Sequence, residues 1–393
     1  MTELVIVADD LTGACDSAAP LHRRGRTSVV LEADGAWPGG PVLAVDTDSR
    51  HRDADEAAAR VARATRRAVR LEAQLVKKID STLRGHVAVE LGALAAAAGE
   101  VHGRLLLVVA PAFPGAGRTV RDGVVHVDGR PLATSSRDGD VLGLLARGGL
   151  RATGVGLQDL DAGRLPQRLA EAYAAGLDAV VVDGESDAHL DEVVAVSSGG
   201  VPVVLVGSGG LTRPLAGPTT TAEQPRADRG PTLLVVGSRA AASRAQRERL
   251  VEHGVVPVLL EGAGRTSAGS TARTAARVRR ALREGPVVLS PDPAAPVVRA
   301  DAPAIAHALA ETAVAVLAEV GTLVATGGET ARAVLTTAGA GHLVVTGEVE
   351  PGVVHAHVPG LGLDLVTKAG AFGDPDALLR CLPAAVRNPR GTS

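Results

Sequence analysis

The strongest constraint on the fold is a series of short, almost uninterrupted apolar runs. They lie at 4–8, 28–31, 42–45, 105–109, 179–182 and 203–206. A strand buried on both faces has this continuous character, whereas a strand with one solvated face alternates. Alanine- and arginine-rich helical segments, such as 54–71 and 165–175, separate several of the runs. The alternation predicts βαβ units and a mostly parallel sheet.

A Pro-, Thr- and charge-rich stretch at 217–231 interrupts this pattern, and we interpret it as a linker. Beyond it the alternation restarts. Strands are predicted at 233–236, 256–260, 287–289, 323–325, 343–345 and 364–367, and helices at 241–253, 271–283, 302–319 and 330–337, with a closing helix. We therefore expect an α/β protein with two Rossmann-like domains, 1–216 and 232–393. Each would be a mostly parallel sheet flanked by helices, and the linker would join them.

Composition excludes several classes of protein. Hydrophobic residues make up 46% of the chain, enough for a buried core, but aromatic residues are only 1% and the formal charge is −3. Without a basic stripe or aromatic rings for base stacking, nucleic acid is not an expected partner. We expect no membrane span and no signal peptide. Cys15 and Cys381 are isolated in the sequence, which favours a reduced, cytoplasmic protein, and a homo-oligomer is left open.

Lysine is rare in this chain. Of the 41 basic residues only Lys77, Lys78 and Lys368 are lysines, and all lie near Gly, Ser or Thr. Lysine provides a compact point charge where arginine provides a planar fork, so the two are not interchangeable in a tight anion site. We therefore expect these lysines to mark a functional site.

The sharpest local signal is KKIDSTLRGH at 77–86. Lys78, Asp80, Ser81, Thr82 and Arg84 supply cations, a carboxylate and two hydroxyls within seven residues. A small polyhydroxy acid needs such a set: cations for its carboxylate, partners for its hydroxyls, and a carboxylate to accept a proton. The alternative is a solvated loop with local Ser/Thr turns.

Acidic residues follow two predicted strands. Asp9 and Asp10 end the first, where ligands of open α/β sheets bind, although Asp10 or Thr12 could simply cap a helix. Asp48 and Arg50 follow the strand at 42–45. Arg50 could hold a ligand carboxylate through two hydrogen bonds, or form an ordinary loop ion pair with Asp48.

Glycine-containing turns follow strands elsewhere. Residues 111–123 (PAFPGAGRTVRDG) predict a long Pro/Gly loop, and 235–246, 325–333 and 367–373 enter turns or helices in the second half. Glycines and helix amino termini aimed at one crevice predict a phosphate site. No Gly-Lys pair occurs, so this is not a P-loop, and no GxGxxG stands at a strand-to-helix turn.

Taken in order, these stretches resemble the four-carbon acid sugar kinase family, which includes threonate and 3-oxo-tetronate kinases. The resemblance rests on IVADDLTGA, TDSR, KKIDSTLRG, PAFPGAGRTV, GSGGL, GSR, TGGET, GEVEPGV and KAGAFG, from Val5 to about Asp376. It implies an acid-sugar-binding domain at 1–216, a nucleotide-binding domain at 232–393, and phosphorylation of the terminal hydroxyl of a four-carbon sugar acid by ATP with Mg²⁺. The residues it places against the acid are Asp9, Asp10, Arg50, Lys78, Asp80, Ser81, Thr82 and Arg84. Those it places around ATP are Gly237, Ser238, Gly327, Gly328, Glu329, Thr330, Lys368, Gly370 and Gly373.

On this hypothesis Asp80 or Asp10 accepts the hydroxyl proton, with Asp80 favoured, and Lys368 stabilises charge on the phosphates. The ligands of Mg²⁺ are not predicted. The chain departs from the family pattern at Ala240 and Ala369, where serines are usual. Each lost hydroxyl is a candidate phosphate contact, so weaker ATP binding is expected.

Two other functions compete with the kinase. An aspartyl phosphatase would use Asp46 or Asp48 after a strand, but would leave the glycine turns of the second half without a role. A ligand-binding relative without catalysis would be consistent with Ala240 and Ala369. Acid-dependent release of ADP distinguishes the kinase from both.

Overall fold

The structure, a computed structural model, describes residues 1–133, 138–216, 230–261, 268–295, 298 and 301–382. The chain divides into two compact units, Met1–Thr220 (unit 1) and Thr221–Ser393 (unit 2). Most of the predicted linker, 217–229, lies outside the described residues. None of the helices in the described ranges is long and apolar enough to cross a membrane.

Unit 1 is built on a parallel sheet. Its strands are β1 (Leu4–Ala8), β2 (Thr27–Val30), β3 (Val42–Asp46), β4 (Gln74–Lys78), β5 (Leu106–Ala110), β6 (Arg118–Arg121), β7 (Val124–Val127), β8 (Arg130–Pro131), β9 (Ala152–Val155), β10 (Ala179–Val182) and β11 (Val203–Gly207). The parallel order is β2-β3-β1-β4-β11-β5-β10-β9. All residues of β1 and β5 are buried, which explains their continuous apolar sequences.

The helices of unit 1 flank this sheet. They are α1 (Leu11–Ala18), α2 (Ala54–Val69), α3 (Val87–His102), α4 (Val141–Arg147), α5 (Leu157–Asp161), α6 (Leu165–Ala174) and α7 (Asp187–Ala195). Helix α2 shows why they form: Ala57, Val61, Ala64 and Ala68 recur on one buried face. Its amino terminus is capped by Asp53, whose carboxylate accepts the N–H of residue 56 over 2.8 Å.

The strand order predicts a ligand site beside β1. After β1 the chain forms β2 and β3 on one side, and then crosses to form β4 on the other. In open α/β sheets ligands bind outside the carboxyl ends of the strands at such a reversal. The ends of β1, β3 and β4 carry the acidic and basic residues singled out in the sequence.

The predicted loop at 111–123 is partly a strand. β6, β7 and β8 form a separate antiparallel sheet. Asp122 and Gly123 join β6 to β7 with φ of 50° and 71°, as a two-residue hairpin turn requires. The buried Asp183 holds this turn, because its carboxylate accepts both of their amide N–H groups, over 2.7 and 2.9 Å.

Unit 2 also contains a mostly parallel sheet. Its strands are β12 (Thr232–Val236), β13 (Val256–Leu259), β14 (Val287–Ser290), β15 (Thr322–Thr326), β16 (His342–Glu350), β17 (Val353–Val358) and β18 (Leu363–Lys368). In the order β13-β14-β12-β15-β18-β17-β16, the first five strands are parallel and the last two pairings are antiparallel. From β12 the chain forms β13 and β14 on one side of that strand, and then crosses to form β15 on the other side.

The helices of unit 2 are α8 (Ala241–Glu252), α9 (Ala268–Ala281), α10 (Ala302–Val314) and α11 (Gly328–Thr337). Two predictions at helix ends need correction. The predicted helix at 302–319 ends at Val314 and is followed by a separate 3₁₀ turn, Leu317–Glu319. In place of a closing helix, the described chain has the 3₁₀ turn Leu379–Cys381, and 383–393 lie outside the described residues.

Candidate functional site

The first candidate site begins where β1 enters α1. Asp10 is the N-cap of α1, and its Oδ1 accepts the N–H of Gly13 over 2.9 Å. Thr12 donates its hydroxyl to Asp10 Oδ2 over 2.7 Å. The carboxylate therefore caps the helix, as its sequence position allowed. The same geometry fixes its orientation at the carboxyl edge of the sheet.

Arg50 binds the carboxylates of its own protein. Its Nε and Nη2 donate to the two oxygens of Asp9 over 2.7 and 2.8 Å, and Nη2 also reaches Asp10 at 2.8 Å. Asp80 lies 3.6 Å away. Burial lowers the pKa of Arg50, but Asp10, Asp9 and Asp80 outweigh it and hold the pKa well above its usual value. We predicted that Arg50 binds the carboxylate of a ligand. Its Nε and Nη2 already donate to Asp9 and Asp10, so a ligand would compete with these two carboxylates.

Asp80 organises the loop that follows β4. Its Oδ1 accepts the amide and hydroxyl of Thr82, over 2.9 and 2.6 Å, and Nε of Arg84 over 3.0 Å. Burial raises the pKa of Asp80, but Arg50 and Arg84 bring it well below its usual value. A carboxylate held so firmly as an anion is a poor proton acceptor. The structure therefore weighs against our preference for Asp80 as the general base.

Groups on the same loop keep hydrogen-bonding capacity for a ligand. Arg84 is 42% exposed at its side chain and uses Nε and Nη2 on Asp80, which leaves Nη1. The ammonium of Lys78 donates to the carbonyl of Ile79 over 2.8 Å and sits against the first turn of α1, where a Cβ on Gly13 would lie 2.7 Å from it. Ser81 is largely buried, and its hydroxyl forms no hydrogen bond with another of the described residues.

The adjacent Lys77 has a different role. It is fully buried, and its ammonium pairs with Glu90 on α3 over 2.7 Å and donates to the carbonyl of Lys78. Glu90 in turn accepts the hydroxyl of Ser49 over 2.7 Å. Lys77 therefore forms a structural ion pair and is not available to a ligand, although its rarity had suggested a functional role.

The second candidate site lies at the reversal between β12 and β15. Gly237 and Ser238 follow β12, while Gly327, Gly328, Glu329 and Thr330 lead from β15 into α11. Two of these positions require glycine, one because of close packing and the other because of its backbone conformation. A Cβ on Gly237 would lie 2.1 Å from the hydroxyl of Thr330, and Gly327 has φ of 96°.

The turn after β18 joins the same group of loops. A Cβ on Gly370 would lie 2.1 Å from the hydroxyl of Ser238, and a Cβ on Gly327 would lie 3.3 Å from the Cβ of that serine. Gly373, with φ of 79°, also has no room for a side chain, because a Cβ there would meet Ala377 at 2.6 Å. The predicted glycines of the second half are thus brought together.

The side chain of Lys368 binds the turn that follows it. It is fully buried, and its ammonium donates to the carbonyls of Ala369 and Phe372, each over 2.8 Å. Burial lowers its pKa to about 8, a shift that Cys381 and Glu350 oppose only in part. The expectation that Lys368 stabilises charge on the phosphates stays a prediction; in this structure its ammonium binds two carbonyls of the following turn.

Two family models match this chain. Residues 4–215 match the family described as the sugar-binding N-terminal domain, and residues 233–378 match the nucleotide-binding C-terminal domain. A D-threonate kinase of Cupriavidus necator is 40% identical, covering 95% of this chain and 96% of its own length. A 3-oxo-tetronate kinase of Methylobacterium radiotolerans is 31% identical, with coverage of 96% and 97%. The chain belongs to the four-carbon acid sugar kinase family.

A solved structure of this fold comes from Salmonella typhimurium LT2. It has a TM-score of 0.78 and 21% identity, and covers 97% of this chain and 98% of its own. The likeness confirms the expected α/β fold, and the family matches identify unit 2 as the part that contains a nucleotide-binding domain.

Ala240, where the family usually has a serine, lies at the amino terminus of α8. Ala240 is the N-cap of α8 and provides no side-chain cap to the helix; its own N–H donates to the hydroxyl of Ser238 over 3.3 Å. A serine at this position would sit at the helix amino terminus, where it could cap α8 as well as contact a phosphate.

The residues proposed for an aspartyl phosphatase are engaged elsewhere. Asp46 accepts the N–H of Asp48 over 2.8 Å, and Asp48 itself pairs with Arg52 and lies 3.7 Å from Arg60. Ion pairs and turn hydrogen bonds of this kind stabilise a loop. They do not present a nucleophilic carboxylate to a ligand.

Proposed function

We propose that this protein transfers the terminal phosphoryl group of ATP to the terminal hydroxyl of a four-carbon sugar acid, and we rank threonate first. The family membership supports the reaction class. The ranking follows the relatives, since the D-threonate kinase is 40% identical and the 3-oxo-tetronate kinase is 31% identical. The observation that carries the proposal is the chemistry of unit 1, where cationic N–H groups and a hydroxyl remain available beside buried carboxylates.

The acid is held by groups that keep hydrogen-bonding capacity after their contacts within the protein. Nη1 of Arg84 and the ammonium of Lys78 take the carboxylate of the substrate, and Ser81 bonds one of its hydroxyls. Arg50 acts indirectly, because its bidentate contact with Asp9 fixes the end of β1.

Asp10 is the better candidate for the general base. The side chain of Asp10 is 15% exposed, whereas those of Asp9 and Asp80 are 3% and 6% exposed. A general base must reach the proton that it removes, so exposure decides among the three. The cap that Asp10 forms on α1 also holds its carboxylate in one orientation.

The loops of unit 2 take the nucleotide. Gly237, Gly327 and Gly370 allow the backbone to approach phosphate oxygens, and α11 begins at this point. Within the described residues no cluster of three or more metal-binding side chains is present. Mg²⁺ commonly binds through one or two carboxylates together with substrate phosphates, and the exposed Glu329 in the first turn of α11 fits that role. When bound, the ion would neutralise charge on the transferring phosphate.

The test is ADP formation by the purified protein with ATP, Mg²⁺ and a panel of D- and L-threonate, D-erythronate and 3-oxo-tetronate. We expect acid-dependent ADP release with D-threonate preferred. Arg84→Met should raise KM for the acid about tenfold or more with KM for ATP unchanged, since it removes a charge-assisted contact. Arg66→Met, which loses an exposed ion pair with Glu100, is the control. ADP release that no acid increases would refute the proposal.

A further inference from the structure

The turn after β18 is held by its carbonyl oxygens. Two of them, on Ala369 and Phe372, accept hydrogen bonds from Lys368, each over 2.8 Å. Two side chains of α8 that the sequence analysis did not select also bind carbonyls of this turn. Ser243 donates to the carbonyl of Gly370 over 2.7 Å.

Gln246 makes the larger contribution. Its side-chain amide nitrogen meets the carbonyls of Phe372, Gly373 and Asp374, over 3.0, 3.2 and 2.8 Å. Both Ser243 and Gln246 are fully buried. These two residues and Lys368 therefore bind carbonyls of the 369–374 turn from the protein side.

Binding the carbonyls also orients the amides. In a trans peptide the C=O and N–H bonds point in opposite directions, so a carbonyl directed at α8 turns the next N–H away from it. The carbonyls of Gly370 and Phe372, which α8 binds, precede the amides of Ala371 and Gly373, and the carbonyl of Ala369, which Lys368 binds, precedes the amide of Gly370. These three amides donate to no acceptor among the described residues. Neighbouring unpaired N–H groups, here those of Gly370 and Ala371 in succession, form an anion-binding concavity.

We propose that Ser243 and Gln246 are positioning residues for the nucleotide. They act through the turn, whose amides they present to the phosphates, and touch no substrate themselves. This inference rests on the proposed use of ATP and adds residues that set its affinity. Sequence reasoning passed over both because a serine and a glutamine within a helix look like ordinary solvent-facing positions.

The experiment compares four proteins: the wild type, Gln246→Met, Ser243→Ala and Leu250→Ala. Leu250 is fully buried on the same helix and packs in the core of unit 2, so its truncation destabilises unit 2 without touching the turn. Affinity for ATP is measured by calorimetry, KM for ATP and for the acid by ADP release, and stability by thermal unfolding.

We expect Gln246→Met to weaken ATP binding about tenfold and Ser243→Ala severalfold, as the loss of buried hydrogen bonds implies, with KM for the acid within about twofold of wild type. Leu250→Ala should lower the melting temperature without changing ATP affinity well below it. ATP affinities of both turn variants equal to wild type would overturn the inference, as would an equal loss in Leu250→Ala or a wild-type protein that does not bind ATP. A wild type that binds ATP but phosphorylates no acid refutes the proposed function, while the affinities still decide the inference.

Discussion

Because Lys368 is buried, we expect unit 2 to become more stable as the pH rises. Burial lowers the pKa of its ammonium from 10.5 to about 8. Between these two values the unfolded chain binds a proton that the folded chain does not, so the free energy of unfolding increases with pH across this window. One pKa unit corresponds to about 1.4 kcal/mol, so the full effect is about 3 kcal/mol, of which about 2.5 kcal/mol develops between pH 7 and pH 10.

The variant that isolates this effect is Lys368→Met. It removes the titrating group, and with it the hydrogen bonds to Ala369 and Phe372, so the slope with pH is more informative than the stability at one pH. Lys368→Arg should also lack the slope, because a guanidinium keeps its proton throughout this range. We expect it to be the least stable of the three proteins, since it adds bulk to a fully buried site.

The assay is urea unfolding from pH 7 to pH 10. Trp37 is the only tryptophan and lies in unit 1, so its fluorescence follows that unit alone, while far-UV circular dichroism follows both units. In the wild type, the unfolding of unit 2 is the transition that circular dichroism detects and Trp37 fluorescence does not. The urea midpoint of this transition should increase with pH. Equal pH slopes for this transition in wild type and Lys368→Met would refute the reasoning.

Three further changes test other parts of the structure. Asp10→Asn should retain the cap on α1 but lower kcat about 100-fold or more with little change in either KM, as loss of a general base implies; near-normal turnover would exclude that role. Ala240→Ser should raise the free energy of unfolding of unit 2 by about 1 kcal/mol, by capping α8, and should lower KM for ATP, as expected where the family pattern has a serine; an unchanged free energy of unfolding would contradict the cap, and an unchanged KM would contradict the phosphate contact. Gly370→Ala should abolish ATP binding in calorimetry, because its Cβ would lie 2.1 Å from the hydroxyl of Ser238; normal binding would contradict this packing.

The central strands could be predicted because burial on both faces leaves little choice of residue. The runs at 4–8 and 179–182 match β1 and β10 residue for residue. β4 was missed, since its sequence QLVKK contains two lysines. The hairpins were missed as well, although Asp-Gly pairs at 122–123 and 128–129 signal two-residue turns; the surrounding proline and glycine suggested a loop.

The composition of the first site could be predicted because the carboxyl ends of parallel strands share one edge of a sheet. This explains why Asp9, Arg50 and Asp80 lie together despite their separation in sequence. Their pairing could not be predicted, because it depends on strand order. Lys77 and Lys78 show the same limit: adjacent residues of a strand face opposite sides, and only the position of α3 gives the first of them its partner, Glu90.

The charges around the proposed acid pocket have a consequence for how a substrate arrives. Asp9, Asp10 and Asp80 face Arg50, Lys78 and Arg84, so equal numbers of carboxylates and cations lie within a few ångströms. Seen from beyond about one Debye length, roughly 8 Å in physiological salt, such a cluster has almost no field. An anionic acid is then not drawn in from a distance, and its encounter rate should vary little with ionic strength. Discrimination among anions then depends on the contacts that Nη1 of Arg84 and the hydroxyl of Ser81 make with the ligand.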